Sequence, residues 1–214
     1  MRLVLASNNA KKLAELAHLF AGLAVDLVPQ GELGITEAEE PHDTFLENAL
    51  AKARHAARAA GGPAIADDSG LCVPGLGGEP GVHSAVFAPL PAHAPRDGDR
   101  EARRRLQDAA NNELLLARLA GREVPAERSA YFACTLVALR HAQDPEPLVA
   151  TGRWPGTVLT SLRGSGGFGY DPLLFIPSLE ATVAEVSPEV KNQHSHRAQA
   201  ARAMRTLLAE VWRP

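Results

Sequence analysis

Short apolar segments that suit β-strands alternate with longer helix-like segments along this 214-residue chain. The first apolar segment, residues 3–6, stops at Ser7-Asn8-Asn9, and a segment with apolar residues at helical spacing follows it. The same criteria predict strands at 23–29, 64–66, 129–140, 148–154 and 173–176, and helices at 44–60, 97–119 and 195–212. Mixing of this kind predicts an α/β or α+β fold around a central mixed sheet. Residues 74–95 are rich in glycine and proline and are expected to form turns.

Composition excludes several classes of protein. Apolar residues make up 45% of the chain, which is typical of a folded globule. The formal net charge is -3, whereas a general nucleic-acid binder is usually basic, so we expect no nucleic-acid partner. The two cysteines are too few for a disulfide framework. No apolar run is long enough for a signal sequence or a membrane span, so we expect a cytoplasmic protein with no membrane partner.

Two pairs of adjacent carboxylates, Glu39-Glu40 and Asp67-Asp68, stand beside predicted element ends. Each pair is charged at neutral pH, because an ordinary carboxyl pKa is about 4, and the two charges repel. A Mg²⁺ ion relieves such repulsion and prefers hard oxygen ligands, usually one or two carboxylates with water and phosphate oxygens. The pairs therefore predict a magnesium site. The alternative is that one aspartate caps a turn while the other faces water.

The segment SNNAKK, residues 7–12, connects the first predicted strand to the helix that follows it. Such a turn offers backbone N–H groups and the positive helix end to an anion, and Lys12 adds a full charge. The spacing differs from that of a P-loop. The alternative is an ordinary helix cap followed by exposed lysines.

Further along the chain, Lys52 lies four residues after Asn48, so the two share one helix face. Lys52 can reach a cleft from there, or it can belong to a solvated face. The loop RGSGGFGYDP, residues 163–172, carries Phe168 and Tyr170 between glycines that permit close backbone approach. These rings suit stacking on a base, with the alternative that they plug the core.

The segment KNQHSHRA, residues 191–198, gathers Lys191, His196 and Arg197 near the start of the last predicted helix. These side chains are donors that suit a keto oxygen or a phosphate. The alternative is a solvated helix start. No segment among those described so far decides a function by itself.

Taken together and in this order, the segments resemble the inosine triphosphate pyrophosphatase family, whose members hydrolyse dITP, ITP and XTP to the monophosphate and pyrophosphate. The resemblance covers almost the whole chain, and ADDSGL and GGFGYDP are its most specific blocks. The matching stretches are LASNNAKKLAEL, EEPHDTFLENALAKA, AIADDSGLCVPGLGGEPGVHSA, GRWPG, GSGGFGYDPLLFIP and KNQHSHRAQA.

The resemblance implies an elongated α/β fold with two lobes on a long mixed sheet and a nucleotide cleft between the lobes. Residues 1–214 would form a single domain without a separable linker, assembled as a homodimer. The implied substrate is a purine nucleoside triphosphate, and the implied biological role is removal of deaminated purine nucleotides from the precursor pool.

The resemblance also implies roles for individual residues. Asp68 would be the catalytic base, supported by Asp67, with Lys12 and Lys52 neutralising phosphate charge. The implied Mg²⁺ ligands are Glu39 or Glu40 together with the aspartates Asp67 and Asp68. The triphosphate would be held by Ser7, Asn8, Asn9, Ala10, Lys11 and Lys12. The rest of the nucleotide, mostly its base, would be bound by Ser69, Phe168, Gly169, Tyr170, Asp171, Lys191, His196 and Arg197.

Two features depart from the family pattern. Asn8 stands where the family commonly has glycine, and the proline-rich segment 87–100 is unlike the usual short form. Two other functions are alternatives to this one. A Maf-like pyrophosphatase would begin with a Ser-Ala-Ser-Pro loop, which is absent. A nucleotide-binding regulator without turnover would gain little from paired carboxylates beside a triphosphate.

Overall fold

One mixed sheet of seven strands organises the protein, for which the computed structural model describes residues 1–92, 94 and 100–213. In chain order the strands are β1 (Arg2–Leu5), β2 (Asp26–Pro29), β3 (Ala64–Cys72), β4 (Ser129–Leu139), β5 (Leu148–Val158), β6 (Leu174–Ile176) and β7 (Ala181–Thr182). Their order across the sheet is β2-β1-β3-β4-β5-β6-β7. Strand β1 pairs in parallel with β2 and β3, while β6 pairs antiparallel with β5 and β7. The predicted α/β class with a mixed sheet is confirmed.

Five α-helices flank the sheet in the described part of the chain. They are α1 (Ala10–Leu19), α2 (Phe45–Ala60), α3 (Arg100–Arg118), α4 (Pro188–His194) and α5 (His196–Leu207). Helix α2 begins with a capping box, since the Thr44 hydroxyl accepts from the Glu47 N–H and donates to the Glu47 carboxylate at 2.6 Å. Among residues 1–92, 94 and 100–213, no helix combines the length and apolar character needed to cross a membrane.

The chain divides into two compact units, and the boundaries fall within β3, β4, β5 and α4. The first unit comprises Met1–Ser69, Ala133–Arg153 and Asn192–Pro214. The second comprises Gly70–Phe132 and Trp154–Lys191. Each unit carries its own set of predicted site residues.

The first unit has a core on each side of its strands. Because successive strand residues point to opposite faces, Leu3 and Leu5 pack into one core while Val4 and Ala6 pack into the other. The first core also contains residues of α1 and α5, and the second contains the alanines along one face of α2. This alternation determines which helices each residue of β3 faces.

The second unit has its own apolar core. It combines Leu71 and Val73 from β3, Leu115 from α3, and Trp154 from β5 with Tyr170 from the glycine-rich loop. Of the two predicted uses of the loop aromatics, core packing therefore applies to Tyr170, which is buried.

Several predicted boundaries were wrong. Strand β3 does not end at residue 66. It continues through Asp67 and Asp68 to Cys72, and the residues at its end, Leu71 and Cys72, are buried. Strand β5 continues past Pro155 to Val158. Strand β7 and helix α4 were missed, being only 2 and 7 residues long. The predicted helix start at 97 and residues 93 and 95–99 of the proline-rich segment lie outside the described residues.

Candidate active site

Asp67 and Asp68 are neighbours within β3, so their side chains leave opposite faces of the strand. Asp67 has the same parity as Ile65 and faces α1 and α5, whereas Asp68 has the same parity as Ala66 and faces α2. The arrangement separates the two carboxylates and gives each one its own cations. The repulsion inferred from their adjacency is therefore relieved in part by the strand itself.

Asp67 accepts four hydrogen bonds inside the first unit. Its Oδ1 accepts from the Lys12 ammonium at 2.6 Å and from the Ser69 hydroxyl at 2.9 Å. Its Oδ2 accepts from Arg197 Nε at 2.9 Å and from the Cys134 thiol at 3.2 Å. Burial alone would raise the pKa of Asp67, but Arg197 and Lys12 outweigh burial and hold that pKa well below its usual range. Asp67 is therefore a permanent anion that fixes the positions of Lys12 and Arg197.

Arg197 is almost completely buried, at 1% exposed. Besides its bond to Asp67, it donates through Nη1 to the Glu15 carboxylate and through Nη2 to the Ser69 hydroxyl at 2.9 Å. Burial alone would lower the pKa of Arg197, yet Asp67 and Glu15 raise it above its usual value. Each of its three nitrogens thus already donates to an oxygen of the protein.

Asp68 has a different environment from that of Asp67. Its Oδ1 accepts from the Lys52 ammonium at 2.8 Å, and the same ammonium donates to Glu40 at 3.1 Å. Its Oδ2 is buried and has no hydrogen-bond partner among the described residues. Burial raises the pKa of Asp68 to about 6 despite the opposing effect of Lys52. Burial alone would lower the pKa of Lys52, but the attraction of Asp68 and Glu40 raises it.

These contacts also test whether a magnesium ion fits. A buried carboxylate oxygen without a hydrogen-bond partner is costly, and Asp68 Oδ2, which has none among the described residues, is therefore available to a cation. Glu40 and Asp68 converge on one ammonium, which shows that both carboxylates face a common positive charge. Glu39 is exposed and makes no such contact with Lys52. Within the described residues, no three or more His, Cys, Asp or Glu side chains form a metal-binding group, which accords with an ion that takes only one or two protein carboxylates.

Residues 7–12 form the predicted turn between β1 and α1. Asn9 caps the helix: its side-chain oxygen accepts from the backbone N–H groups of Lys11 at 3.1 Å and Lys12 at 3.3 Å. The Asn9 N–H in turn donates to the Ser7 hydroxyl at 3.2 Å. The cap therefore occupies two of the N–H groups that the sequence offered to an anion. Ala10 is exposed and Asn8 is half-buried, with its side chain over Gly31.

The aromatic loop belongs to the second unit. Phe168 is half-buried, and the Lys191 ammonium lies 4.6 Å from the centre of its ring. Asp171 accepts from Lys191 at 2.8 Å and from the Phe168 N–H at 3.0 Å. A Cβ on Gly167 would lie 2.0 Å from this carboxylate, and φ there is +73°, so the turn requires glycine. The loop presents an aromatic face with a cation beside it.

The two units divide the predicted site. The first unit brings together Lys12, Asp67, Ser69 and Arg197, and separately Glu40, Lys52 and Asp68. The second unit brings together Phe168, Asp171 and Lys191. The segment KNQHSHRA is split, since Lys191 belongs to the second unit while His196 and Arg197 belong to the first, where both are buried.

Comparison with known proteins adds a family assignment. The model of the Ham1 family matches residues 3–207, which is nearly the whole chain. The chain belongs to the Ham1 family. It is 66% identical to a dITP/XTP pyrophosphatase of Leptothrix cholodnii, with 99% of each chain covered. It is 62% identical to a dITP/XTP pyrophosphatase of Methylibium petroleiphilum, again with 99% of each covered. The family expected from the sequence is thereby confirmed.

A solved structure of the Ham1 family supports the same assignment. The HAM1 protein of Coxiella burnetii superposes with a TM-score of 0.84 at 39% identity, covering 99% of this chain and 100% of that one. The seven-stranded mixed sheet is thus the fold of a Ham1 protein.

Sequence reasoning missed several residues around this Ham1 site. Glu15 is three residues after Lys12 on α1, so helical spacing alone indicated that the two share a face. Cys134 lies on β4 and gave no signal, because its contact with Asp67 spans 67 residues. Asp108 and Asn112 of α3 contact the loop around Phe168 and were also missed.

Proposed function

We propose that this protein hydrolyses ITP, dITP and XTP to the nucleoside monophosphate and pyrophosphate, and so removes deaminated purine nucleotides from the precursor pool. The relatives named dITP/XTP pyrophosphatase support the substrate class. The observation that carries the chemistry is the environment of Asp68, a buried carboxylate with one oxygen on Lys52 and one oxygen that has no hydrogen-bond partner among the described residues.

Asp68 acts as the general base in this proposal. A raised pKa of about 6 makes it a better proton acceptor than an ordinary aspartate, yet it is ionised at neutral and alkaline pH. It takes a proton from the water that attacks the α-phosphorus. The bond between that phosphorus and the bridging oxygen to the β-phosphate breaks, and pyrophosphate leaves with the electron pair. The proton on Asp68 then returns to solvent.

Lys12 and Lys52 neutralise the negative charge that grows on the phosphates. Lys12 is held in place by Asp67, whose charge is permanent, so its ammonium is positioned before the substrate arrives. Lys52 bridges Glu40 and Asp68, and this contact holds it beside the base. Residues 7–12 contribute the helix start and the remaining backbone N–H groups to the triphosphate.

We further propose Mg²⁺ as the cofactor, with Asp68 and Glu40 as its protein ligands. When bound, the ion would polarise the phosphates and neutralise charge on the departing pyrophosphate. Asp67 is fully occupied by four donors, and its proposed role is to support Lys12 and Arg197 rather than to bind the ion directly.

The second unit contributes the base contacts. Phe168 offers a stacking face, and the nearby Lys191 ammonium offers donors for the 6-keto oxygen of hypoxanthine or xanthine. The 6-amino group of adenine would face these donors with a donor of its own. An unpaired buried donor costs about 1–3 kcal/mol, so a few of them produce strong discrimination against ATP.

The family resemblance alone supports two further proposals, a homodimer and a cytoplasmic location. Light scattering of the purified protein tests the first. A mass of about twice the monomer's 22.7 kDa is expected, and a monomeric mass would contradict it.

A panel of nucleoside triphosphates tests the proposed activity. ITP, dITP, XTP, GTP and ATP are incubated with and without Mg²⁺, and the protein is then removed by filtration. Mg²⁺ is added to every filtrate, and phosphate is measured before and after adding inorganic pyrophosphatase. We expect Mg²⁺-dependent phosphate only after pyrophosphatase is added, with ATP at least about tenfold slower than ITP. Equal turnover of ATP and ITP, or direct release of orthophosphate, would contradict the proposal.

A further inference from the structure

We infer that Asp108 and Asn112 of α3 are positioning residues that set the base-binding loop by holding the backbone of Gly169, an inference that rests on the proposed function. The Gly169 N–H donates to Asp108 Oδ2 at 2.9 Å. The Asn112 amide donates to the Gly169 carbonyl at 3.0 Å. The two side chains are four residues apart and share one face of α3. Helix α3 therefore holds both the N–H and the carbonyl of Gly169.

Gly169 lies between the two aromatic residues of the loop, so contacts that hold its backbone also affect where the aromatic rings lie. Its φ is +60°, a left-handed conformation that sets the direction in which the chain leaves Phe168. On one side, the Phe168 N–H donates to Asp171 at 3.0 Å. On the other side, Tyr170 is buried and its hydroxyl donates to the Ser84 carbonyl at 3.0 Å. The position of the Phe168 ring is therefore set by the hydrogen bonds of the loop backbone and of Tyr170.

The chemistry of the α3 pair, Asp108 and Asn112, supports a positioning role. Asn112 is 6% exposed, and its Oδ1 is buried with no hydrogen-bond partner in the described part of the chain. The amide nitrogen of Asn112 thus satisfies the Gly169 carbonyl although the amide's own oxygen stays unsatisfied among the described residues, and Asn112→Ala would leave that carbonyl without this donor. Burial, with the charge of Asp108 adding to it, raises the pKa of Tyr170, which keeps its hydroxyl protonated and able to donate.

Neither member of the α3 pair belongs to the phosphate-binding first unit. Loss of the pair should therefore weaken binding of the base while leaving binding of the polyphosphate unchanged. A merely structural role in α3 would not produce this division, because general destabilisation affects both.

The test compares Asp108→Ala with Asp108→Asn, which can still accept from the Gly169 N–H, and with Glu113→Ala as a matched control. Glu113 is an exposed acidic residue of the same helix that does not contact Gly169. We expect Asp108→Ala to raise KM for ITP by about 3- to 10-fold, about the value of one ordinary hydrogen bond, with kcat within about twofold. Asp108→Asn should lie nearer to wild type, and Glu113→Ala should match wild type. Inhibition by inorganic tripolyphosphate should not change in any of them.

A double variant with Phe168→Ala tests whether Asp108 acts through the ring. Once Phe168 is absent, Asp108→Ala should raise KM by less than about twofold, because the positioned group is gone. A full effect in that background, a parallel loss of tripolyphosphate inhibition, or a KM equal to that of the Glu113→Ala control would overturn the inference.

Amide hydrogen exchange provides a readout that does not depend on activity. Asp108→Ala and Asn112→Ala should each accelerate exchange in the peptide that contains Gly169, and Glu113→Ala should not. If wild type fails to hydrolyse ITP, the proposed function is wrong. If wild type hydrolyses ITP but the exchange of this peptide and the KM stay unchanged in Asp108→Ala, the inference alone is wrong.

Discussion

Replacing Asp68 with asparagine should separate what this carboxylate does for catalysis from what it costs the fold. Asp68 is 5% exposed, one of its oxygens has no hydrogen-bond partner in the part of the chain that the structure describes, and burial raises its pKa from 3.8 to about 6. A rise of about two units corresponds to about 3 kcal/mol of folding free energy lost when the group is charged. Asparagine has nearly the same shape and no charge. We therefore expect Asp68→Asn to stabilise the protein by about 1–3 kcal/mol at pH 7.5.

The pH dependence of this stabilisation follows from the sign of the pKa shift. Because the pKa of Asp68 is raised in the folded state, the folded protein binds the proton more tightly than the unfolded chain does. The cost is therefore fully present above about pH 6 and disappears as the pH falls towards about 4. Asp68→Asn cannot titrate, so its advantage over wild type should be largest at pH 7.5 and should vanish near pH 4.

Thermal melts and a turnover assay together measure both effects. Without nucleotide and with EDTA, the melting temperature of Asp68→Asn should exceed that of wild type by about 2–12 °C at pH 7.5, from about 2–4 °C per kcal/mol in a chain of this size. Turnover of ITP should fall by at least about 10²–10⁴-fold, the usual loss when a general base is removed.

Asp144→Asn is the matched control, since Asp144 is also a buried carboxylate of the first unit. Burial alone would raise the pKa of Asp144, but the backbone N–H groups of Arg140 and Glu146 lower it. This variant should lose about 1–2 kcal/mol of stability and keep its turnover. If Asp68→Asn melted earlier than wild type yet still hydrolysed ITP, Asp68 would be a structural group and the reasoning would be refuted.

Three further variants test other parts of the site. Arg197→Ala should lose about 3–5 kcal/mol in urea unfolding, because Asp67 and Glu15 would keep buried charges without their partner; a loss below about 1 kcal/mol would refute this. Lys52→Met should move the acidic limb of the kcat/KM profile to higher pH, since Lys52 lowers the pKa of Asp68; a limb moved to lower pH would show the opposite coupling. Gly167→Ala should raise KM for ITP, since its Cβ would lie 2.0 Å from the Asp171 carboxylate; unchanged steady-state kinetics would exclude a role for this turn.

Local patterns made most of the fold predictable. The strand at the start of the chain, the capping box of α2 and the neighbouring strands β4 and β5 all follow from periodicity and turn residues. The end of β3 was not predictable in this way, because paired aspartates within a strand contradict the usual preferences. Only the cations brought by α1, α2 and α5 make that strand tolerable, and those contacts span up to 130 residues.

Residue types in the site were predictable, but their partners were not. The sequence indicated that Asp67 and Asp68 belong together, whereas the structure gives one a set of four donors and the other a single lysine. That difference depends on which face of β3 each side chain leaves, and a one-residue change of register would move each aspartate to the opposite face. The contacts between α3 and Gly169 could not be predicted from the sequence either, since Asp108 is 61 residues away from Gly169 along the chain.

The destination of the solvent oxygen tests the central claim most directly. ITP is hydrolysed with Mg²⁺ in water enriched in ¹⁸O, and the products are identified by ³¹P NMR. Attack on the α-phosphorus with Asp68 as base predicts IMP that carries one ¹⁸O and unlabelled pyrophosphate. Label in pyrophosphate, or IDP with labelled orthophosphate as the first products, would contradict the account.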